Sequence, residues 1–317
     1  MTRLGSSDLD VYPLNLGGNT FGWTSDTDTS FAVLDAYAAA GGNFVDTSDS
    51  YMASAPGLSG GESETVLGRW FDERGNRDSI VLATKVSRHP EFRGLAPDNI
   101  ARAAEASLRR LRSDHIDLYY AHYDDEDVPL ADSLGAFDEL LRAGKVRYLG
   151  ISNYSPARVE EWVSIADANG YARPVALQPH YNLVAREPFE SQYRPLAERF
   201  DLGVLPYFAL AAGFLTGKYR SEADLEGASR GKMAGRYLSA EGLAVVDELD
   251  RIASAHDRSI ATVAVAWLLA QPTVVAPIAS ARTGEQVPDL LAGARLELSD
   301  DEVQRLDRVS EWTPAGA

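Results

Sequence analysis

Residues 80–121 read IVLATKVSRHPEFRGLAPDNIARAAEASLRRLRSDHIDLYYA. Two short apolar runs, Ile80–Thr84 and Ile116–Ala121, enclose a helical pattern at Ile100–Arg112. Each run is nearly continuous in apolar character, as expected of a strand covered on both faces. Between them, Ala103, Ala104, Ser107, Leu108 and Leu111 share one face of a helix, and Pro97-Asp98 supplies its start signal. A strand, a helix and a second strand in this order form a βαβ unit with parallel strands.

The same unit repeats in both directions. Further strands are predicted at Leu14–Gly17, Asn43–Asp46, Val146–Ile151, Val175–Gln178, Gly203–Tyr207 and Val274–Ile278. Ala131–Arg142 places Leu134, Phe137, Leu140 and Leu141 on one helix face, with Gly144 just beyond it; Ser155-Pro156 opens the next helix. Eight strands with intervening helices predict an α/β fold, a (β/α)8 TIM barrel, with residues 1–317 as one domain. Three additions are expected: an N-terminal hairpin over Arg3–Val11, a long loop after strand seven at Phe208–Gly242, and an extra C-terminal helix at Asp300–Ser310. Two helical patterns, about 241–256 and 259–270, precede the eighth strand. A doubly wound sheet is disfavoured, since no G-x-G-x-x-G follows a predicted strand. Gly213–Lys218 is one residue short of a phosphate loop and continues into Tyr219 instead of Ser or Thr.

The 47 acidic and 30 basic residues give a charge of −17. That balance argues against a nucleic-acid partner and against an anionic membrane surface. Cysteine is absent, which removes disulfides, thiolate metal sites and a Cys nucleophile. The start, MTRLGSSDLD, lacks an apolar signal core, and Ile260–Ala270 is too short to span a bilayer. A cytoplasmic protein is expected.

A barrel of this kind keeps its chemistry at the C-terminal ends of its strands. There the sequence offers Asp46, Tyr51, Lys85, His122, Ser152, Asn153, Gln178 and Tyr207. Each has a plainer reading alone: a turn aspartate, a rim tyrosine, a surface lysine, a structural histidine. Yet the chain holds 26 Arg and only 4 Lys, so a lysine at a strand end stands out. Together Asp46, Tyr51, Lys85 and His122 form an acid–base set. Tyrosine titrates near about 10, and a nearby ammonium lowers that value. Asp46 would hold Lys85 charged, and His122 would orient a substrate oxygen. The chemistry implied is proton delivery to a carbonyl oxygen. No side chain supplies a hydride, so a nicotinamide cofactor is implied. The remaining histidines show no metal-ligand spacing, and no metal is expected.

These residues sit in recognisable blocks. Gly41–Tyr51 (GGNFVDTSDSY) resembles the first signature of the aldo-keto reductase superfamily, and Ser107–Tyr120 resembles the second. GKVRYLGISNY (144–154), LQPHYN (177–182), GFLTGKY (213–219) and IASARTGEQ (278–286) match further blocks in order. The resemblance runs from Arg3 to about Leu291 and looks closest to the bacterial branch related to potassium-channel beta subunits.

The resemblance implies a general acid at Tyr51, supported by Asp46 and Lys85, with His122 orienting the substrate. It implies NADPH as cofactor. Ser152, Asn153 and Gln178 would bond the nicotinamide carboxamide, and Tyr207 would stack on its ring. Leu215, Gly217 and Lys218 lie where the family wraps the pyrophosphate. Arg282 falls at the 2′-phosphate, and Gln286 at the adenine. Gly18, Asn19, Thr20, Phe208, Leu210, Gly213 and Ser280 complete the expected cofactor set. Trp23, with Tyr51 and His122, is a substrate-binding candidate, or else covers the barrel mouth. The sequence departs from the family at Tyr207-Phe208-Ala209-Leu210, where Tyr-Ser-Pro-Leu is common, and at Gly18-Asn19, Ser280 and Leu290. Asn153 has a competing role as a helix cap, and Arg282 as a surface residue.

The expected partner is a small-molecule carbonyl compound. Two other readings stay open: an NADPH-binding regulatory subunit with negligible turnover, and a Schiff-base lyase built on Lys85. The −17 charge opposes an anionic cofactor, so local positive charge must offset it. Between Gly213 and Arg236 five basic residues (Lys218, Arg220, Arg230, Lys232, Arg236) face three acidic ones (Glu222, Asp224, Glu226). This loop and Arg282 are the expected landing site.

Overall fold

The computed structural model describes residues 1–311, so the last six residues of the expected 1–317 unit lie outside the described residues. Eight parallel strands form one sheet: β1 (Asn15–Gly17), β2 (Phe44–Asp46), β3 (Val81–Val86), β4 (Ile116–Ala121), β5 (Val146–Ser152), β6 (Ala176–Gln178), β7 (Gly203–Val204) and β8 (Ile278–Ala279). β1 through β7 pair in chain order, and β8 returns to β1 through Ile278↔Asn15 and Ala279↔Leu16. Backbone bonds from Val275 N to Val204 O and from Ile278 N to Pro206 O, each 2.9 Å, close the remaining gap. The result is the expected (β/α)8 barrel.

The two closing strands are shorter than the sequence predicts. Gly203–Tyr207 shortens to Gly203–Val204 and Val274–Ile278 is displaced to Ile278–Ala279, since Pro206 and Pro277 have no N–H to give the ladder. Helices cover the outside, among them α1 (Thr27–Ala39), α2 (Glu62–Arg74), α3 (Pro97–Leu111), α4 (Leu130–Arg142) and α5 (Pro156–Asn169). α6 (Arg194–Phe200), α7 (Ala240–His256), α8 (Ile260–Leu269), α9 (Val287–Gly293) and α10 (Asp300–Val309) complete the ring. Ser155 caps α5 and Ser259 caps α8, each hydroxyl accepting the N–H three residues on. Asn153 therefore does not serve as that cap.

The apolar core has two layers. One lies between strands and helices; the other fills the barrel with Phe44, Ala83, Leu118, Tyr120 and Leu205. The expected hairpin forms, with Thr2 opposite Val11 and Arg3 opposite Asp10. Its Leu4, Leu9 and Val11 plug the bottom of the barrel. Gly5 turns there at φ +49°, and a Cβ on it would meet the Val175 carbonyl at 2.3 Å. The bottom is thus sealed and the top is left for loops. A second hairpin, Arg88–His89 with Phe92–Arg93, follows β3 and has no clear alternating signal in sequence.

The segment 208–242 is not structureless. It breaks into short turns at Ala211–Thr216, Glu222–Leu225 and Gly235–Tyr237, with a single helical turn at Gly231–Ala234. No helix among the described residues is long and apolar enough to cross a membrane.

Candidate functional site

β2 ends at Asp46 and β3 carries Lys85 near its end, and these side chains are fully buried at the top of the barrel. Lys85 Nζ lies 2.7 Å from each Asp46 carboxylate oxygen, 2.7 Å from the Thr47 carbonyl and 2.6 Å from Tyr51 Oη. Tyr51 Oη in turn donates to Asp46 Oδ2. Gln178, ending β6, donates to Asp46 Oδ1 at 2.9 Å. His122, one residue past β4, stands edge-on to Tyr51 with ring centres 6.3 Å apart. The tetrad expected from four distant segments is assembled in one place.

Electrostatics modify one expectation. Burial raises the Tyr51 hydroxyl well above its ordinary range, and Asp46, which accepts its hydrogen bond, raises it further. The lowering expected from Lys85 is outweighed, because burial and the adjacent Asp46 carboxylate both favour the protonated phenol. Burial pulls Lys85 below its ordinary value against the pull of Asp46. Burial, then Lys85 and Arg88, hold His122 well below its usual value, so its imidazole is neutral at pH 7. The phenol keeps its proton, and that proton points to Asp46 until a better acceptor enters the cavity.

Above the tetrad opens a cavity of about 1040 Å³, at the upper end of the range for ligand sites. Tyr51 and His122 line it with Tyr123, Ser152, Asn153, Gln178 and Tyr207. Ser152 Oγ donates to the Gln178 carbonyl at 2.9 Å, Asn153 Nδ2 donates to the His122 carbonyl at 2.9 Å, and Tyr207 Oη donates to Asn153 Oδ1 at 2.9 Å. These donors already have acceptors within the protein, so a bound carboxamide must compete for them. One face of Tyr207 stacks on His180, with centres 5.4 Å apart and planes 10° apart.

The cavity wall also carries Lys218, Arg230 and Arg282. Among the described residues, none of the three has a carboxylate within 4.0 Å, although Glu285 and Asp289 also line the wall. Arg220, by contrast, is drawn away to Asp247 and Asp250, and Lys232 and Arg236 are exposed and line no part of the cavity. Arg230 donates to Asn19 Oδ1 at 3.1 Å, which also accepts from Ser280 Oγ at 2.8 Å. Gln286 Oε1 accepts the Arg282 backbone N–H at 2.8 Å.

Of the remaining expected residues, Thr20, Phe208, Leu210 and Gly213 line the cavity, whereas Gly18, Trp23, Leu215 and Gly217 do not. Gly18 ties the end of β1 to the Asp46 carbonyl through its N–H at 2.7 Å. Leu215 is core, and Gly217 caps a turn at φ +77°. Sequence reasoning counted Arg230 only as part of a basic segment. Its burial beside Arg282, which together pull its guanidinium below the ordinary value, is decided by the loop fold.

Comparison with known proteins gives a consistent result. The profile of the Aldo/keto reductase family matches residues 13–311. An uncharacterized oxidoreductase YrpG of Bacillus subtilis is 33% identical over 96% of this chain and 94% of its own length. Norsolorinic acid reductase B of Aspergillus parasiticus is 31% identical over 98% and 83%. A probable voltage-gated potassium channel subunit beta of Oryza sativa subsp. japonica is 32% identical over 90% and 88%.

Proposed function

Because the chain belongs to the aldo/keto reductase family, we propose that it reduces aldehydes or ketones to alcohols with NADPH, Tyr51 giving the proton. The observation that carries this reading is the contact of Tyr51 Oη with both Lys85 and Asp46 at the edge of a large cavity.

The cavity fits such a cofactor on its own chemistry. Three cations without carboxylate partners among the described residues line the cavity, as an anionic phosphate-bearing group requires. Lys218, Arg230 and Arg282 would hold its phosphates. Tyr207 would lie against the nicotinamide, and Gln286 near the adenine. When bound, the reduced nicotinamide supplies a hydride to the carbonyl carbon.

The chain's own residues do the rest. A carbonyl oxygen placed between Tyr51 and His122 accepts hydrogen bonds from both. Negative charge growing on that oxygen makes it a stronger acceptor than Asp46, and Tyr51 turns its proton to it. Lys85, 2.6 Å from Oη, stabilises the tyrosinate left behind. Asp46 is not left bare, since Lys85 and Gln178 keep bonding it. The neutral His122 donates a hydrogen bond and does not compete for the proton.

The test is Tyr51→Phe. Turnover should fall about 10²- to 10⁴-fold while NADPH still binds. Wild-type turnover by that variant, across an aldehyde panel, removes Tyr51 as the acid. A second reading is favoured by the channel beta subunit among the relatives: a cofactor-binding regulatory subunit. It predicts tight NADPH binding with no steady-state oxidation over the whole panel. A lyase on Lys85 is disfavoured because its nitrogen donates to Asp46, the Thr47 carbonyl and Tyr51, contacts that favour the protonated, non-nucleophilic form.

A further inference from the structure

We propose that Ser48 is a positioning residue for His122, fixing the imidazole tautomer that carries its proton on Nε2, and that Asp49 governs whether Ser48 can do so. The proposal rests on the reductase reading only for its kinetic consequence.

His122 lines the cavity, and Ser48 Oγ lies 3.3 Å from its Nδ1. No described residue bonds Nε2. A neutral imidazole has one donor and one acceptor, and the partner of one nitrogen sets the role of the other. If Ser48 donates to Nδ1, the proton must sit on Nε2, where it can meet a carbonyl oxygen. If Ser48 only accepts, Nδ1 holds the proton and Nε2 presents a lone pair that repels that oxygen.

Ser48 Oγ has a single proton and several claims on it. It accepts the Ser50 N–H at 3.2 Å, and its hydrogen can go to His122 Nδ1, to Ser50 Oγ at 3.1 Å or to Asp49 Oδ1 at 3.3 Å. The Asp49 carboxyl is fully buried, and its Oδ2 has no partner among the described residues. Glu64 on α2, Arg110 on α3, Lys85 on β3 and Tyr119 on β4 interact with its charge, and His89 in the second hairpin lies beside Gly60 with the Asp49 backbone carbonyl. Burial and the neighbouring Glu64 raise this carboxyl to about 8. A protonated Asp49 is a much weaker acceptor for the Ser48 hydrogen and has a proton of its own to donate. An ionised Asp49 is the strongest acceptor near Ser48 and takes that hydrogen from His122.

The sign follows. Asp49 is protonated below its raised pKa, so the productive tautomer is favoured at lower pH and lost as pH rises through about 8. Tyr51 stays protonated across the same window, so the two groups are separable.

The test uses ¹⁵N-histidine-labelled protein and its ring-nitrogen shifts, together with kcat/KM against pH. In the wild type the Nε2–H tautomer should dominate at about pH 7 and give way to Nδ1–H at about pH 9. Ser48→Ala should mix the tautomers at every pH and lower kcat about 2- to 10-fold with KM for NADPH unchanged. Ser48→Thr, which keeps the hydroxyl, should restore both. Asp49→Asn should abolish the change near pH 8. A His122 tautomer that is the same in wild type, Ser48→Ala and Asp49→Asn overturns the proposal, whatever the activity. A Ser48-dependent tautomer in a protein that reduces no carbonyl keeps the proposal and overturns the reductase reading.

Discussion

Removing Lys85 tests the energetics of the site without reference to its substrate. Lys85 and Asp46 are both fully buried, with the ammonium 2.7 Å from each carboxylate oxygen. At an effective dielectric of about 20 the attraction across that distance is about 6 kcal/mol. Desolvating the two ions costs several kcal/mol each, so the pair contributes close to nothing net. Breaking it is another matter. Lys85→Met leaves a buried carboxylate held only by Gln178 and Tyr51. That should cost about 3–5 kcal/mol, a large part of a typical folding free energy. Adding Asp46→Leu removes the stranded charge, and the double variant should recover all but about 1–2 kcal/mol, the remainder coming from Tyr51 and Gln178 losing partners. Urea unfolding at neutral pH, monitored by circular dichroism, reads all three proteins on one scale. A Lys85→Met loss below about 1 kcal/mol would refute the reasoning, as would a double variant less stable than the single one.

Three further outcomes are expected. Arg282→Ala should weaken NADPH binding about 10- to 100-fold and leave NADH binding nearly unchanged, read by titration of intrinsic fluorescence; equal losses would remove Arg282 from the 2′-phosphate. In Asp49→Asn, kcat/KM for reduction should stay level from about pH 7 to beyond 9, because burial and Asp46 keep Tyr51 protonated; a fall near 8 would mean a lower Tyr51 pKa than the site provides. Gly5→Ala should cost about 1–3 kcal/mol in thermal or urea unfolding, since a Cβ would strike three backbone atoms within 2.8 Å at a positive φ; a neutral effect would show that the hairpin does not seal the barrel.

Some of the site was legible in the sequence because parallel strands impose their own rule. Asp46, Lys85, His122, Asn153 and Gln178 sit at successive strand ends, and a closed barrel brings such ends to one mouth whatever separates them in the chain. The cavity wall was harder. Trp23, Leu215 and Gly217 occupy the expected blocks yet do not face the cavity, because the turns that carry them are set by φ values and packing that no periodicity encodes. Arg230 reaches Asn19 across 211 residues, a contact only the folded loop creates.

What the sequence determined by itself was the barrel, its N-terminal hairpin, and the residue types at its mouth, because strand period and helix period are local properties. The tertiary structure decided the charges. Lys85 alone would favour tyrosinate at Tyr51, but burial of the phenol and the adjacent Asp46 outweigh it and hold the proton in place until charge develops on a substrate. His122 has a defined tautomer only if something stands behind it, and folding puts Ser48 there. Ionisation depends on the distance and desolvation of groups far apart in the chain, and those exist only once the chain has closed on itself.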